Sequence, residues 1–396
     1  MHILLIVQNN PFPTDRRVAK EALSLKEAGY EVSAISPAFG NDLARCDEWN
    51  GINVFRYRHF ESTGGMAGFV LEYANALFRI FFIALGLWFR APFKSIHVAN
   101  PPDFFWPMAL VFKLFGVKFI FDQHDISAEM FRINERAEKN AIYKFLNWNE
   151  RMTVRVADGI ITTNTSIRDR LEALYGLRGK PCEVVYNGPP ADFIAKNNPE
   201  LAAKYAGKRV LLYVGEMAGV DCVEVILNIA GSVVKENGRT DCVFILVGDG
   251  PDIPRLKALA TERDLTGFVC FTGRVSHDEV MEYLGLAEIC LVPDEPNGLN
   301  EFLTLIKCLE YMKASRPFVA FDLKETRFIA AESALFARDM PEYVRHIVHL
   351  LDNRAEAQAM GQRGRSRIES GFLWDHQVPR LLKLYGCVLN YPCKSV

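Results

Sequence analysis

The sequence lacks the short motifs that mark many catalytic centres. It has no CxxC pair, no Walker A phosphate loop and no GxSxG nucleophile turn, and it has no short-period repeat or low-complexity tract. It also lacks a charge excess, because 46 Lys and Arg against 48 Asp and Glu leave a formal net charge of −2. That balance argues against a nucleic-acid binder that works through a broad basic field, so we expect no nucleic-acid partner.

The first residues lack the features of a signal peptide. Met1 to Val7 has neither a basic segment nor a small-residue cleavage site, and its apolar run predicts a first strand. Nine cysteines are scattered along the chain, and several lie in apolar runs such as Ile289 to Leu291, where thiols act as small hydrophobic groups. Such a set is typical of a reducing compartment, so the sequence predicts a cytoplasmic protein.

One apolar segment, residues 69–93, raises the question of membrane contact. Its uncharged core runs from Ile80 to Phe89 and is flanked by Arg79 and Arg90. A spanning helix needs about 20 apolar residues, so we do not expect this segment to cross a bilayer. Two interpretations stay open, a buried helix of an α/β layer and a helix that lies in the membrane interface.

Apolar runs alternate with helical patterns along the whole chain. A length of 396 residues predicts two or three domains. A first series of runs ends at the breaker cluster 187–190, and a second begins after a polar stretch at residues 191–208. Strands that alternate with helices predict a parallel sheet covered on both faces. The predicted fold class is therefore α/β, with two Rossmann-like, doubly wound parallel-sheet domains that face each other across a ligand-binding cleft.

The spacing of apolar residues gives approximate bounds for these elements. The predicted strands are residues 3–7, 31–36, 96–100, 118–122, 159–163, 183–186, 210–214, 243–247, 269–272, 289–292 and 318–321. The predicted helices are residues 15–28, 134–157, 166–175, 220–236, 253–263, 277–287 and 301–313, followed by a helical tail.

Ligands of parallel sheets gather at the carboxyl ends of the strands, so the loops after the predicted strands form the candidate site. In the first series, His124 can hydrogen-bond a substrate hydroxyl or a developing charge, or it can pair with Asp122 or Asp125 instead. In the second series, Gly248 and Gly250 flank a turn that can bring backbone N–H groups to a phosphate. A tight strand-to-helix turn requires the same glycines.

The other loops of the second series add further candidates. Arg274 and Val275 follow a strand, where backbone groups can pair with a base edge and the guanidinium can meet an anion. Lys307 and Glu310 share a face of the predicted helix 301–313, either as a solvated pair or as a receiver for a diphosphate and a ribose. The remaining candidates for ligand binding are Gly215, Glu216, Met217, Asn300, Glu301, Leu303 and Thr304.

The order and spacing of several segments are more specific than any one of them. These segments include Asp15-Arg16-Arg17-Val18, Asn100-Pro101-Pro102-Asp103, Phe121-Asp122-Gln123-His124-Asp125, Val247-Gly248-Asp249-Gly250, Leu299-Asn300-Glu301 and Lys307-Cys308-Leu309-Glu310-Tyr311-Met312. Together they resemble the bacterial retaining glycosyltransferases of the GT-B fold known as family 4. The resemblance extends over most of the chain.

The resemblance implies a glycosyltransferase that takes a sugar from a UDP- or GDP-sugar and transfers it to a glycan acceptor with retention. It implies that His124 meets the donor sugar, that Lys307 reaches the phosphates and that Glu310 holds the ribose. It also implies that the backbone at Arg274 and Val275 contacts the base. No metal and no other cofactor is expected, because positive side chains and helix N-termini hold the leaving diphosphate in this family.

The resemblance also implies a domain layout and a subcellular location. Residues 1–190 form the acceptor-side domain, residues 191–373 bind the donor, and a helix at 374–396 packs back on the first domain. Acceptors in this group are often lipid-linked, as in the assembly of surface polysaccharide, lipopolysaccharide and glycolipid. The segment 69–93 is accordingly a candidate for peripheral contact with the inner face of the plasma membrane.

The loop 215–219 departs from the family pattern. Relatives carry a cation there to hold the diphosphate, whereas this loop has Glu216 and no basic residue. Phe302 stands where relatives commonly have a carboxylate, eight residues before Glu310. Two alternatives therefore stay open beside the active transferase. One is a degraded member that binds a nucleotide or a partner protein without catalysis, and the other is a GT-B nucleotide-sugar epimerase.

Overall fold

A computed structural model of the chain describes residues 1–39, 44–60, 65–135 and 141–390. The chain divides into two compact units, of which the first holds Met1–Tyr186 and the residues from Gln377 onward, and the second holds Asn187–His376. Residues 187–190 thus lie with the second unit, where the Trp374 N–H donates to the Pro189 carbonyl at 3.0 Å. Residues 391–396 of the predicted terminal helix lie outside the described residues.

One eight-stranded sheet forms the centre of the first unit. Its strands are β1 (His2–Ile6), β2 (Glu31–Ala38), β3 (Cys46–Trp49), β4 (Ile52–Arg58), β5 (Ser95–Ala99), β6 (Lys118–Gln123), β7 (Gly159–Thr162) and β8 (Cys182–Val184). They lie in the order β3-β4-β2-β1-β5-β6-β7-β8, and every neighbouring pair is parallel except β3 with β4. The sequence did not predict β3 and β4.

Helices of the first unit connect these strands. They are α1 (Arg16–Glu27), α2 (Gly65–Arg90), α3 (Trp106–Lys113), α4 (Ser127–Glu135), α5 (Ala141–Val156) and α6 (Thr165–Tyr175). The Asp15 carboxylate accepts the N–H groups of Arg17 and Val18 and so caps α1. Of the predicted helix 134–157, Asn134 and Glu135 lie in α4, and Ala141–Val156 forms α5. Residues 136–140 of that prediction lie outside the described residues.

A six-stranded parallel sheet forms the centre of the second unit. Its strands are β9 (Arg209–Val214), β10 (Cys242–Val247), β11 (Val269–Gly273), β12 (Ile289–Val292), β13 (Phe318–Phe321) and β14 (Ala334–Ala337). They lie in the order β11-β10-β9-β12-β13-β14. Every residue of β10 is buried, as expected for a parallel strand covered on both faces.

The helices of the second unit pack around this sheet. They are α7 (Pro199–Lys204), α8 (Val223–Gly231), α9 (Ile253–Glu262), α10 (His277–Leu286), α11 (Ile306–Lys313), α12 (Lys324–Ala330), α13 (Met340–Asp352) and α14 (Arg354–Gly371), and α15 (Trp374–Leu389) follows them. The predicted helix 220–236 is wrong at its start, and its last five residues form a different type of helix. Cys222 has φ +53°, so α8 begins after it, and Ser232–Glu236 forms a π-helical turn.

The predicted helix 301–313 is wrong at its start. α11 begins at Ile306, and Asn300–Phe302 forms a short 3-10 turn instead. The Asn297 side chain accepts the N–H groups of Leu299 and Asn300 at 2.9 and 2.8 Å. This local side-chain turn competes with the first turn of a helix.

The apolar segment 69–93 forms α2 at the surface of the first unit. Its buried side chains, Ala76, Ile80 and Ala84, recur at helical spacing on the side that faces β2 and β4. The window Val70–Arg90 is long and apolar enough to cross a membrane by length and composition, yet 17% of it is buried within the protein. α2 therefore covers the sheet with one side and leaves its other side exposed. The interpretation of a buried helix holds only for the side that faces the sheet.

Candidate active-site residues in the two units

Two loops at the carboxyl end of the second sheet are joined by their backbones. The Gly215 N–H donates to the Val247 carbonyl at 3.1 Å. A Cβ at Gly248 would lie 1.9 Å from the Gly215 carbonyl oxygen, and a Cβ at Gly250 would lie 2.4 Å from that of Met217. The structure thus brings these predicted residues together. Close backbone approach is by itself a sufficient reason for both glycines of the turn.

Lys307 lies in the first turn of α11 as a buried cation. Its Nζ is 2.9 Å from Asp294 Oδ2 and 5.0 Å from the centre of the Tyr213 ring. The Lys307 side chain is 11% exposed and that of Asp294 is 5% exposed. Burial alone would lower the pKa of Lys307, but Asp294, then Tyr213 and Asp221, raise it above its usual range. Lys307 therefore keeps its positive charge at the carboxyl ends of β9 and β12.

Acidic groups surround this cation. Burial raises the pKa of Asp221 to about 6, Lys307 opposes that rise, and the charges of Asp294 and Glu216 add to it. Glu216 is exposed in the loop that follows β9. Sequence reasoning did not single out Asp294, Tyr213 or Asp221, since none of them belongs to a recognisable motif. The available signal was that a lysine on a buried helix needs a carboxylate partner, which would have prompted a search for an acidic residue near Lys307.

The other predicted side chains of the second unit lie in less enclosed places. Glu310 is half-buried on α11, one turn after Lys307. Arg274 is exposed directly after β11, and its side chain makes no hydrogen bond or ion pair with the residues that the structure describes. Val275 is half-buried beside it. Arg274 is thus available to an anionic ligand.

The residues that precede α11 form part of its supporting loop. Asn300 is buried, and its Nδ2 donates to the Glu295 carbonyl at 2.8 Å. Glu301 Oε2 accepts the first backbone N–H of α12 at 3.5 Å. Leu303 and Thr304 are half-buried between this turn and α11. The predicted helix 301–313 contained both Thr304 and Lys307. In the structure Thr304 precedes the helix that carries Lys307.

His124 lies in the first unit, directly after β6. Its Nε2 is 2.5 Å from Asp122 Oδ2 and 3.0 Å from Arg17 Nε. Its backbone N–H donates to Asn100 Oδ1 at 2.6 Å, and the same oxygen accepts the Asp125 N–H at 3.1 Å. The alternative in which His124 pairs with Asp122 is therefore present, and the ring keeps 14% of its side-chain exposure.

Behind His124, Glu21, His97 and Asp122 are buried within 4.8 Å of one another and could together hold a metal ion. The guanidinium of Arg17 already supplies positive charge there, because Nη2 lies 3.2 Å from Glu21 Oε1 and 3.0 Å from Asp122 Oδ1. Sequence reasoning gave no role to Arg17, Glu21 or His97, and it named Asp122 only as a possible partner of His124. Arg17 and Glu21 lie on α1, His97 on β5 and Asp122 on β6, so only the tertiary structure brings these three elements together.

The fold and the strand-end residues define a class of protein. The structure is similar to that of sucrose-phosphate synthase from Thermosynechococcus elongatus, with a TM-score of 0.81 and 16% identity over 99% of this chain and 100% of that one. The predicted GT-B fold is thereby confirmed.

Two family models match the sequence and identify the family. The model described as Glycosyltransferase Family 4 matches residues 15–193, and the model described as Glycosyl transferases group 1 matches residues 208–353. The chain belongs to the family 4-like glycosyltransferases of the GT-B fold. The resemblance inferred from the sequence is confirmed.

Named relatives match parts of the chain. An alpha-D-kanosaminyltransferase of Streptomyces kanamyceticus is 31% identical over 44% of this chain and 45% of its own length. A GDP-mannose-dependent alpha-(1-6)-phosphatidylinositol monomannoside mannosyltransferase of Mycobacterium tuberculosis is 25% identical over 57% of this chain and 62% of its own. The chain thus matches about half of the length of these relatives.

Proposed function

We propose that the protein transfers a sugar from a nucleotide-diphosphate donor to a glycan acceptor with retention of anomeric configuration. The observation that supports this most is the buried pair of Lys307 and Asp294 at the start of α11, in a chain that belongs to a glycosyltransferase family. A fixed cation at a helix N-terminus stabilises the charge that develops on a leaving diphosphate. To Glu310, one turn further along α11, we assign the binding of the ribose hydroxyls.

Binding and turnover test this assignment. A thermal-shift panel of UDP, GDP, ADP and their sugars should give a selective shift, since a ligand at 100 times its Kd stabilises a protein by about 2.7 kcal/mol. Glu310→Ala should abolish that shift. Lys307→Ala should lower kcat/KM by at least about 100-fold, as is usual when a group that stabilises transition-state charge is lost. Lys324→Ala, an exposed lysine at the start of α12, is the matched control.

The proposal extends to a transfer without a metal cofactor. Lys307 Nζ lies 2.9 Å from Asp294, where it supplies the positive charge that a divalent cation would otherwise bring to this carboxylate. We expect a chelator to leave the transfer rate unchanged. Stimulation by Mg²⁺ or Mn²⁺ of more than about tenfold would contradict a metal-free site.

A specific observation favours a second candidate, a member that binds nucleotide without catalysis. The loop after β9 offers the acid Glu216 and no cation to the diphosphate, and Asp221 follows it. Under this alternative the thermal shift persists but no acceptor is glycosylated. Product analysis with the donor alone separates the transferase and the non-catalytic member from the epimerase. Only the epimerase converts the donor without an acceptor.

We also propose that the acceptor is lipid-linked and that the protein works at the cytoplasmic face of the membrane. The support is an apolar surface on the first unit, here called the α2–α3 face. Its exposed side chains are Val70, Leu71, Phe78, Phe82, Phe89, Leu110, Val111, Leu114 and Phe115. The rings of Phe81 on α2 and Phe112 on α3 are 6.0 Å apart, so the two helices are neighbours.

Charge decides which partner suits the α2–α3 face. Arg79, Arg90 and Lys94 are exposed on or beside it, and Glu72 is the single acidic residue in the sequences of α2 and α3. An apolar face bordered by cations fits an anionic lipid surface.

Vesicle sedimentation tests the membrane proposal. The double variant Phe78→Ser/Phe82→Ser should weaken binding to phosphatidylglycerol vesicles by at least about tenfold, because it removes two large apolar contacts. Leu174→Ser, which changes an exposed leucine on α6, should bind like the wild type. Equal binding by the double variant, or a stable dimer formed through this face, would count against the proposal.

A further inference from the structure

A trio of polar side chains in the first unit ends at His124. Arg17 donates from Nη2 to Asp122 Oδ1 at 3.0 Å and from Nε to Asp122 Oδ2 at 3.2 Å. Asp122 Oδ2 in turn lies 2.5 Å from His124 Nε2. Arg17 and Asp122 are buried, whereas His124 is partly exposed. His124 is therefore the member of the trio that a ligand can reach.

The contacts at His124 Nε2 decide which ring nitrogen carries the proton. A carboxylate oxygen can only accept, so Asp122 at 2.5 Å requires an N–H at Nε2. Arg17 Nε also lies 3.0 Å from this nitrogen, but its proton has the Asp122 carboxylate as an acceptor of opposite charge. In the neutral ring the lone pair is then on Nδ1. Within the described part of the chain, no hydrogen bond to Nδ1 is found.

Neighbouring groups keep the Asp122 carboxylate ionised. Burial raises the pKa of Glu21 well above its usual range, and the charge of Asp122 adds to this, so Glu21 is neutral. Burial lowers the pKa of His97, so that ring is neutral as well. Burial would raise the pKa of Asp122, but Arg17 and His124 hold it well below its usual range. The charged groups in contact with the His124 ring are thus the Asp122 carboxylate and the Arg17 guanidinium. The neighbouring Asp125 carboxyl is buried, which raises its pKa, and His124 opposes that rise.

Backbone contacts hold the trio in place. Arg17 Nη1 donates to the Val185 carbonyl at 2.8 Å, so the guanidinium is fixed at both ends. The His124 backbone N–H is held by Asn100 Oδ1. The backbone that carries the ring and the guanidinium beside it are therefore both anchored.

We infer that Asp122, held by Arg17, is a positioning residue for His124 that binds the Nε2 proton and leaves Nδ1 as an acceptor for a sugar hydroxyl. The ligand in this inference rests on the proposed transferase function, whereas the state of the ring rests on the contacts alone. A ring in the other neutral tautomer would present an N–H at Nδ1 and could only donate to the oxygen of the hydroxyl.

Nitrogen NMR of the ring tests the inference without any assay of activity. Protein labelled with ¹⁵N-histidine is measured from roughly pH 6 to 9, and the signals of His124 are assigned with the His124→Gln variant. The wild type should show a protonated Nε2 and a bare Nδ1 when neutral. Asp122→Asn should shift the population toward a protonated Nδ1, because the new amide can donate to Nε2. Glu21→Gln makes the same chemical change on a neutral neighbour and should leave the ring signals unchanged.

Kinetics give the second readout. Asp122→Asn should lower kcat by about 100-fold, at the upper end for a residue that orients a functional group. The donor KM should stay within about threefold, since the donor's contacts with the second unit remain. Glu21→Gln should change neither value by more than about threefold.

Each outcome decides the matter. A protonated Nδ1 in the neutral wild type overturns the inference, and this holds even where Asp122→Asn does not fold. Equal kinetics of Asp122→Asn and Glu21→Gln overturn it as well. A protonated Nε2 in a protein that transfers no sugar would support the ring assignment and count against the proposed function.

Discussion

Asp221 is a half-buried carboxyl of the second unit whose ionisation affects folding. Its pKa of about 6 exceeds the value of about 4 for an unfolded aspartate, so ionisation costs stability in the folded state. That cost is absent below about pH 4 and present in full above about pH 6. With its partial exposure discounted, we expect Asp221→Asn to raise the free energy of unfolding at pH 8 by about 1–2 kcal/mol.

Urea titrations at pH 8 and pH 4 check this expectation. At pH 4 Asp221→Asn and the wild type should have nearly equal free energies of unfolding, because the carboxyl is already protonated there. Asp192→Asn, at an exposed position in the same unit, serves as the control. An equal effect of Asp221→Asn at both values of pH would show that burial of the charge is not the cause.

The same ionisation should act on the donor. A carboxylate close to Lys307 repels a diphosphate, so nucleotide affinity should fall as the pH rises from about 5 to 7. In Asp221→Asn the affinity should stay level over that range. Calorimetric titration at several values of pH measures both curves. Parallel curves for the two proteins would place the charge of Asp221 too far from the diphosphate to matter.

At the scale of elements, the turn after β10 depends on glycine. Gly248 has φ +139°, and a Cβ there would meet the Gly215 carbonyl oxygen at 1.9 Å. Gly248→Ala should therefore lower the free energy of unfolding of the second unit by about 2–4 kcal/mol, since backbone atoms on both loops must move. Gly267→Ala adds a Cβ where no atom lies within 4 Å and should have little effect. Similar unfolding curves for both variants would contradict this account of the turn.

Elements with a continuous apolar run were predictable from the sequence, and those without one were not. The strand at 243–247 was expected and lies within β10, because a strand covered on both faces has few polar residues. β3 (Cys46–Trp49) has mostly exposed residues, so it offers no such pattern. The start of α11 was misplaced because the side chain of Asn297 organises a local turn that residue spacing does not reveal.

The candidate site was predictable only in part, for a related reason. Lys307 and Glu310 were found because they are neighbours on one helix. Asp294, the partner of Lys307, is 13 positions away, and Arg17 and Asp122 are separated by 105. The order of the parallel strands in the sheet brings such pairs together. The spacing of apolar residues in the sequence does not reveal that order. Whether the predicted residues bind donor and acceptor stays a prediction for the experiments above.

At the scale of the whole molecule, each unit has its own sheet and its own core, and the chain returns to the first unit at Gln377. α15 packs against the start of β7, where Leu384 Cδ1 lies 3.4 Å from the Cβ position of Gly159.

Leu384 is fully buried, so Leu384→Ala should destabilise the first unit by about 2–5 kcal/mol. Amide exchange should become faster in β5, β6 and β7 and stay unchanged in β9, β10 and β12, because separate cores unfold separately. Lys383→Ala, next to it on the exposed side of α15, should leave exchange as it is. Faster exchange in the second sheet alone would show that α15 stabilises a different part of the chain.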